Sequence, residues 1–174
     1  RGLGDVYKRQ VLFLKGHGTG NDFILLPDLD GELTLSPAQV RAVCDRHAGV
    51  GADGILRVVP TALADEARSM SGQAAYFMDH RNADGSSAQM CGNGARLFAH
   101  YLRLTGLETS DEFTIATRGG CREVRIEPDG RITIDMGTAT TPLLRAMPVV
   151  ESGGHSWSAV GVMVPNPHAV AFVD

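Results

Sequence analysis

The chain has 174 residues, of which 43% are apolar and 21% charged, an ordinary globular composition. Its net charge of −4 gives no electrostatic preference for nucleic acid, so we expect no such partner. No apolar run approaches the roughly 18 residues of a membrane-spanning helix, so none is predicted. Its three cysteines, without CxxC or metal-ligand spacing, predict no disulfide framework and no metal site, and favour a reduced, cytoplasmic compartment.

The first ten residues lack the apolar segment and small-residue cleavage site of a signal peptide. We interpret residues 1–10 as a non-native or upstream extension, and we expect Val11 to be the native start.

The first half of the chain predicts four strands and one helix. Short apolar runs bounded by turn residues place the strands at residues 11–14, 23–26, 55–59 and 74–79. Ser36-Pro37-Ala38-Gln39 combines an N-cap serine, a proline at the first helical position and the glutamine of a capping box, which predicts a helix start. The polar segment 60–73 is predicted to be a surface loop.

The second half predicts a mostly buried helix from about Ala95 to Leu104, followed by further strands. These strands lie at residues 112–117, on both sides of the turn at 128–130, near 156–164 and at 169–173. The pattern is α+β, with many short strands and two helices. A composition shift near 137–142 predicts one domain over 11–137 and the start of a second over 138–174.

A glycine-rich cluster covers Lys15–Phe23. A dinucleotide-binding turn needs glycine at its first, third and sixth positions and a helix behind it. Counting from Gly16 or Gly18, the sixth position is not glycine, so nucleotide binding is disfavoured. The simplest interpretation is a tight turn whose glycines adopt positive φ. The amide of Asn21 beside this turn is suited to a polar ligand.

A second cluster places Cys91 immediately before the predicted buried helix. The unpaired N–H groups and positive dipole end of a helix favour the thiolate, which would make Cys91 a better base or nucleophile. The backbone amides of Gly92, Asn93 and Gly94 could hold a carboxylate. An inert, buried cysteine beside a capping turn is an equally open interpretation.

A thiolate next to a bound carboxylate could attack a carbonyl, with histidine as the base, or remove an α-proton. The six histidines leave hydrolysis open but show no metal-site spacing. Cys44, on an apolar helix face, and Cys121, in a strand, are expected to fill the core.

Four blocks together resemble the diaminopimelate epimerase family, in that family's order. They are Lys15–Phe23, Arg46–Gly54, Asn82–Ser86 with Met90–Arg96, and Pro165–His168. The resemblance implies two similar lobes, each made of strands wrapped around a central helix, with the site between them. This chain would supply the first lobe and the start of the second.

The resemblance also implies a cofactor-free isomerase that interconverts LL- and meso-diaminopimelate for lysine and peptidoglycan synthesis. Such enzymes use two cysteines on opposite faces of the α-carbon, and Cys91 matches the first. The other matches are Asn21, Asn82 and Asn166 as substrate-binding residues, Gly92 and Asn93 as the amides for the α-carboxylate, and His168 as a residue that tunes the thiols.

The sequence departs from the family pattern at three points. Gly54 stands where many relatives carry a substrate-contacting glutamine, and Pro165 replaces a glycine. The second cysteine, a Glu-Arg pair and the returning C-terminal strand of the family are not in the chain. A two-base reaction cannot proceed with one base, so we expect this polypeptide to be inactive alone. The full-length family member is expected to form a homodimer.

Several alternatives remain open. A proline racemase-like or phenazine-pathway isomerase of the same superfamily is the nearest one. A non-catalytic binding module derived from the lobe is another, and a cysteine hydrolase is the weakest. A diaminopimelate substrate is favoured by the complete Asn82–Ser86 and Met90–Arg96 blocks.

Overall fold

The computed structural model describes residues 10–142 and 146–173. The chain divides into two compact units, the first ending at Ile134 and the second beginning at Asp135. The predicted extension at residues 1–10 lies, except for Gln10, outside the described residues. The predicted domain limits of 11–137 and 138–174 stay predictions.

The first unit contains a seven-stranded sheet whose strands follow one another in chain order. The strands are β1 (Leu14–Gly18), β2 (Asn21–Pro27), β3 (Gly54–Pro60), β4 (Tyr76–Asn82), β5 (Glu112–Thr117), β6 (Gly120–Ile126) and β7 (Ile132–Ile134). The pairs β2–β3 and β4–β5 are parallel, and the other neighbours are antiparallel. The parallel pairs are the places where the chain leaves the sheet and crosses over.

Two helices complete this unit, α1 (Pro37–Cys44) and α2 (Gly92–Leu104). Helix α2 contacts both edge strands, β1 and β7, and also β2, β3 and β4. A single helix can touch both edges only because the sheet curls around it. Phe23, Leu56 and Phe98 are at most 1% exposed inside the curl. The predicted α+β fold with strands wrapped around a central helix is confirmed.

The outer face of the sheet is covered in two places. Because side chains alternate along β3, Leu56 faces α2 while Ile55 packs outward against Val40 and Cys44 of α1. The segment after β3 covers the second place with two short 3₁₀ turns, Thr61–Leu63 and Arg68–Met70. The prediction of a surface loop over 60–73 is wrong in part, since Ala64 and Ala67 of this segment are buried in an apolar cluster of the core.

Several predicted boundaries need correction. Strand β1 begins at Leu14, so residues 11–13 precede it and the first part of the glycine-rich cluster, Lys15–Gly18, lies within the strand. Helix α2 begins at Gly92, three residues before the predicted start. Leu104 at its end is 70% exposed, so the apolar cover of the helix is narrower than expected. The capping box of α1 is confirmed, with Ser36 accepting from the Gln39 backbone and Gln39 accepting from the Ser36 backbone.

The second unit consists of two hairpins, one of β8 (Val149–Ser152) with β9 (His155–Ser158) and one of β10 (Val160–Val164) with β11 (Asn166–Val170). The strand predicted over 156–164 is therefore two strands, divided at Ala159. The strand predicted at 169–173 begins earlier, and residues 171–173 lie outside it. In the described part of the chain, no helix is long and apolar enough to cross a membrane.

Candidate functional site

One end of the curled sheet gathers several of the predicted site residues. Phe23 of β2 pairs with Gly54 of β3, which in turn pairs with Asn82 of β4. Asn21 begins β2 and Asn82 ends β4, so both asparagines lie at the same end of the sheet. That these two asparagines lie close together cannot be predicted from the sequence, because their proximity depends on the register of three strands.

The N-terminus of α2 carries Cys91 as its N-cap, in the position that the sequence predicts. Its backbone is extended (φ −144°, ψ 114°), and its sulfur accepts from the Gly94 N–H at 3.5 Å. A thiol thus stands where serine or aspartate usually caps a helix. Among the described residues, the structure shows no acceptor for the backbone N–H groups of Gly92 and Asn93. These are two of the orphan donors that every helix start presents.

The glycines of β1 let α2 approach the sheet closely. A Cβ atom on Gly18 would lie 2.5 Å from the Asn93 carbonyl oxygen, and one on Gly16 would lie 2.7 Å from Leu97. The prediction that this glycine cluster serves positive φ is wrong for both residues. Positive φ falls instead on Thr19 and Gly20, which form the turn between β1 and β2.

The amide of Asn21 connects Cys91 to the sheet. Its Nδ2 donates to Asp53 Oδ2 at 2.7 Å. Its Oδ1 accepts from the Cys91 thiol at 3.7 Å and from Asn93 Nδ2 at 3.5 Å. Cys91 and Asn93 therefore both contact the same oxygen of Asn21, although Asn21 and Cys91 belong to glycine-rich segments that are far apart in the sequence.

A cluster of charges fixes Asp53 beside Asn21. Arg46 Nη2 lies 2.7 Å from both Asp22 Oδ1 and Asp53 Oδ1, and Lys15 Nζ lies 3.3 Å from Asp22. Hydrogen bonds from Arg46 hold the pKa of Asp22 well below its usual range, and the two carboxylates raise the pKa of Arg46. Arg46 and Asp53 are not among the predicted site residues, although both lie in the Arg46–Gly54 block that carries part of the family resemblance.

Asn82 is engaged locally by the turn that follows β4. Its Nδ2 donates to Ser86 Oγ at 3.0 Å, and Asp84 Oδ1 accepts from both the backbone and the hydroxyl of Ser86. Gly85 has φ 87° and packs against Pro37, where a Cβ atom would approach to 2.7 Å. This turn docks on the start of α1 and leaves Asn82 at the site end of the sheet.

The departure at Gly54 has a physical reason. A Cβ atom there would lie 2.5 Å from the Arg81 carbonyl oxygen and 3.3 Å from His80 Nε2. The backbones of β3 and β4 are too close at this point for any side chain. A glutamine at this position would need a shifted β3–β4 pair.

The other two cysteines lie apart from Cys91. Cys44 is 3% exposed in the apolar cluster under α1, and burial raises the pKa of its thiol. Cys121 is half-buried in β6, opposite Ala116 of β5, and packs against the apolar cluster around Val59. Both positions agree with the expected core role.

Asn166 and His168 belong to the second unit, where both lie in β11. His168 is exposed and pairs with Val162 of β10. Their predicted roles toward substrate therefore stay predictions. Within residues 10–142 and 146–173, no group of three or more metal-ligating side chains occurs.

Residues 13–142 match the family described as Diaminopimelate epimerase. The diaminopimelate epimerase of Streptomyces coelicolor is 52% identical over 94% of this chain and 56% of its own length. That of Thermobifida fusca is 58% identical over 72% of this chain and 47% of its own length. The chain thus spans about half the length of the curated relatives it matches.

A solved structure shares the fold. The PhzF-family phenazine biosynthesis protein of Bacillus anthracis superposes with a TM-score of 0.58, at 18% identity, over 94% of this chain and 55% of that one. This likeness concerns the architecture only. Together with the family match over residues 13–142 and the relatives at 52% and 58% identity, the site geometry leads to one conclusion: the chain belongs to the diaminopimelate epimerase family.

Proposed function

We propose that this chain supplies one half of the active site of an enzyme that epimerises LL-diaminopimelate to meso-diaminopimelate without a cofactor. The observation that carries the proposal is the position of Cys91. Its sulfur caps α2 beside the two unpaired amides of Gly92 and Asn93, and it also touches the Asn21 amide.

In the proposed reaction the α-carboxylate of the substrate accepts hydrogen bonds from the Gly92 and Asn93 amides. The positive end of α2 then offsets the charge that develops when the α-carbon loses its proton. The Cys91 thiolate takes that proton, and the electron pair of the C–H bond delocalises toward the carboxylate. Cys91 thereby acts as a general base.

The remaining substrate contacts are proposed for three asparagines and one histidine. Asn21 and Asn82 would contact substrate from the site end of the first unit. Asn166 would contact it from β11, and His168 on the same strand would tune the thiols.

Inversion at the α-carbon needs a second catalytic group on the opposite face, an acid that returns a proton to the carbanion. Cys44 is buried beneath α1, and Cys121 packs against the core, so neither is placed to serve. We propose that the second acid comes from sequence outside these 174 residues. The polypeptide alone would then have no turnover. A catalytic thiol must stay reduced, which favours a cytoplasmic location. We also propose that the complete enzyme is a homodimer.

The test measures the incorporation of deuterium from D₂O at the α-carbon of LL-diaminopimelate. Two proteins are compared: the chain itself, and a chimera that joins it to the part of the Streptomyces coelicolor relative that it does not match. We expect no turnover by the chain and clear incorporation by the chimera. In the chimera, Cys91→Ser should lower the rate at least about a hundredfold, whereas the Cys121→Ser control should keep it.

The same assay separates the alternatives. Racemisation of proline but not of diaminopimelate would favour another isomerase of the superfamily, and ligand binding without exchange in the chimera would favour a non-catalytic module. Hydrolysis is disfavoured, because in the described residues the Cys91 sulfur hydrogen-bonds to Asn21 and to the Gly94 N–H, and no hydrogen bond joins it to a histidine.

A further inference from the structure

Two side-chain amides at the site are joined in a single chain of hydrogen bonds. Arg96 Nη2 donates to Asn93 Oδ1 and, at 2.9 Å, to Thr19 Oγ1. Asn93 Nδ2 donates to Asn21 Oδ1 at 3.5 Å, and Asn21 Nδ2 donates to Asp53 Oδ2 at 2.7 Å. The donor direction is the same at every step, from the cation at Arg96 to the anion at Asp53.

The charges at the two ends leave the amides no choice of orientation. A guanidinium only donates, so Asn93 must turn its oxygen toward Arg96 and its NH₂ group toward Asn21. An ionised carboxylate only accepts, so Asn21 must turn its NH₂ group toward Asp53 and its oxygen inward. The two requirements agree at the contact between the asparagines, so each end reinforces the other.

We propose that Asp53 and Arg96 are positioning residues, which act through these amides so that the oxygen of Asn21, and not its nitrogen, faces Cys91 Sγ. The orientation of the Asn21 amide does not depend on the reaction. Only its effect on Cys91 as a catalytic base rests on the proposed function. With the oxygen inward, Asn21 accepts a hydrogen bond from the Cys91 thiol, and this contact favours the protonated form of the sulfur. A reversed amide would donate to the sulfur and favour the thiolate.

Asp53 is itself held in place from the side away from Asn21. Arg46 Nη2 binds its Oδ1 at 2.7 Å, which leaves Oδ2 for Asn21 and for the Asp22 backbone N–H at 3.1 Å. The Asp22 carboxylate shares Arg46 and accepts from the Asp53 backbone N–H at 3.3 Å, an acceptor that asparagine also offers, but no hydrogen bond joins it to the Asn21 amide. Asp22→Asn is therefore a matched control, because it removes one negative charge from the same cluster and leaves the hydrogen-bond chain intact.

The experiment uses the 174-residue chain without substrate, so a failure of the proposed epimerase activity would not affect it. Nuclear magnetic resonance follows the side-chain NH₂ signals of Asn21 and Asn93. Iodoacetamide then labels the thiols near neutral pH, and mass spectrometry gives the rate for Cys91. In Asp53→Ala we expect the Asn21 NH₂ signals to move and the labelling of Cys91 to accelerate about threefold to tenfold, the effect of one hydrogen bond.

Asp22→Asn should leave the Asn21 signals in place and change the labelling rate less than twofold. At the other end, Arg96→Lys keeps a donor and should preserve the Asn93 signals, whereas Arg96→Met should shift them. The Arg96 pair tests the proposal even if Asp53→Ala does not fold. Unchanged amide signals and labelling in both Asp53→Ala and Arg96→Met, or equal effects of Asp53→Ala and Asp22→Asn, would overturn it.

Discussion

The two units of the chain differ in how far their apolar side chains are buried. In the first unit the curled sheet and α2 enclose a core in which Phe98 is 0% exposed. In the second, Ala159 is the single buried residue among the described residues from 135 onward. Phe172 there is 91% exposed and Met147 65%.

This contrast indicates where the precision of the site comes from. A two-stranded hairpin has only its backbone ladder and cross-strand pairs to fix it, and is marginal in water. Cys91, Asn21 and Asn93 rest instead on a packed helix and a seven-stranded sheet. The part of the site that needs exact hydrogen-bond geometry thus lies in the unit with the closed core.

A matched pair of phenylalanine truncations should show the largest difference between the two units. Phe98→Ala leaves a cavity inside the curl and should lower the free energy of unfolding by about 3–5 kcal/mol. Phe172→Ala should change it by less than about 0.5 kcal/mol, because the ring is already in water. Urea denaturation followed by circular dichroism measures both. Similar losses in the two variants would contradict the contrast between the units.

Acid should weaken the first unit through a buried histidine. Burial, helped by the nearby Arg118 cation, lowers the pKa of His80 from 6.5 to about 4. In the unfolded chain His80 takes up a proton as the pH falls below 6.5, whereas in the folded chain it stays neutral until about pH 4. Stability therefore falls as pH drops through this window, by about 3 kcal/mol in total.

Urea denaturation at a series of pH values checks the histidine prediction. His80→Leu should flatten the curve between pH 6.5 and 4, whereas His155→Gln, at an exposed position in the second unit, should leave it unchanged. A curve that keeps its full slope in His80→Leu would assign the acid sensitivity to other groups.

A smaller effect is expected where α2 meets β1. Gly18→Ala places a methyl group 2.5 Å from the Asn93 carbonyl oxygen, a backbone atom that can yield only if the helix start moves. The cost should be about 1–3 kcal/mol, with altered amide signals for Asn93. Gly72→Ala is the control, since nothing lies within 4 Å of its Cβ position. Equal stability of the two variants would show that the close approach is not a constraint.

The smallest loss of stability is expected at the N-cap of α1, the helix that packs on the outer face of the sheet. Ser36→Ala removes the hydroxyl that accepts from the Gln39 N–H and should cost about 1 kcal/mol. Ser71→Ala, in the loop after Met70, serves as the control and should have no measurable effect. A Ser36→Ala variant as stable as the parent would mean that α1 is held by its apolar face alone.

Local chemistry made parts of this molecule predictable from sequence. The capping box at Ser36 and the position of Cys91 before α2 depend on neighbours in the chain, and both were predicted at the right residues. The glycines of β1 show the limit of such reasoning. A glycine needed for close approach, such as Gly18, has the same sequence signature as one needed for positive φ, such as Gly20.

The supporting contacts of the site were not predictable for a related reason. Asp53 contacts Asn21 only after β2 has paired with β3, and Arg96 contacts Thr19 only after α2 has packed against the β1–β2 turn. No local pattern marks them, since charged residues beside glycines usually lie in solvated turns. The burial of Ala64 and Ala67 is not predictable from sequence, because an alanine in a polar segment occurs both in exposed loops and in buried ones.

In the proposed function, Cys91 acts as a base at the α-carbon of a diaminopimelate-like substrate. An aziridine analogue of diaminopimelate tests this role, because the thiolate that faces the α-carbon forms a C–S bond to the ring as a ring C–N bond breaks, which leaves a stable adduct. In the chimera with the Streptomyces coelicolor relative, mass spectrometry should locate the adduct on Cys91 and on no other cysteine of this chain, and Cys91→Ser should abolish it. An adduct on Cys44 or Cys121, or none on Cys91 in a folded chimera, would contradict the account.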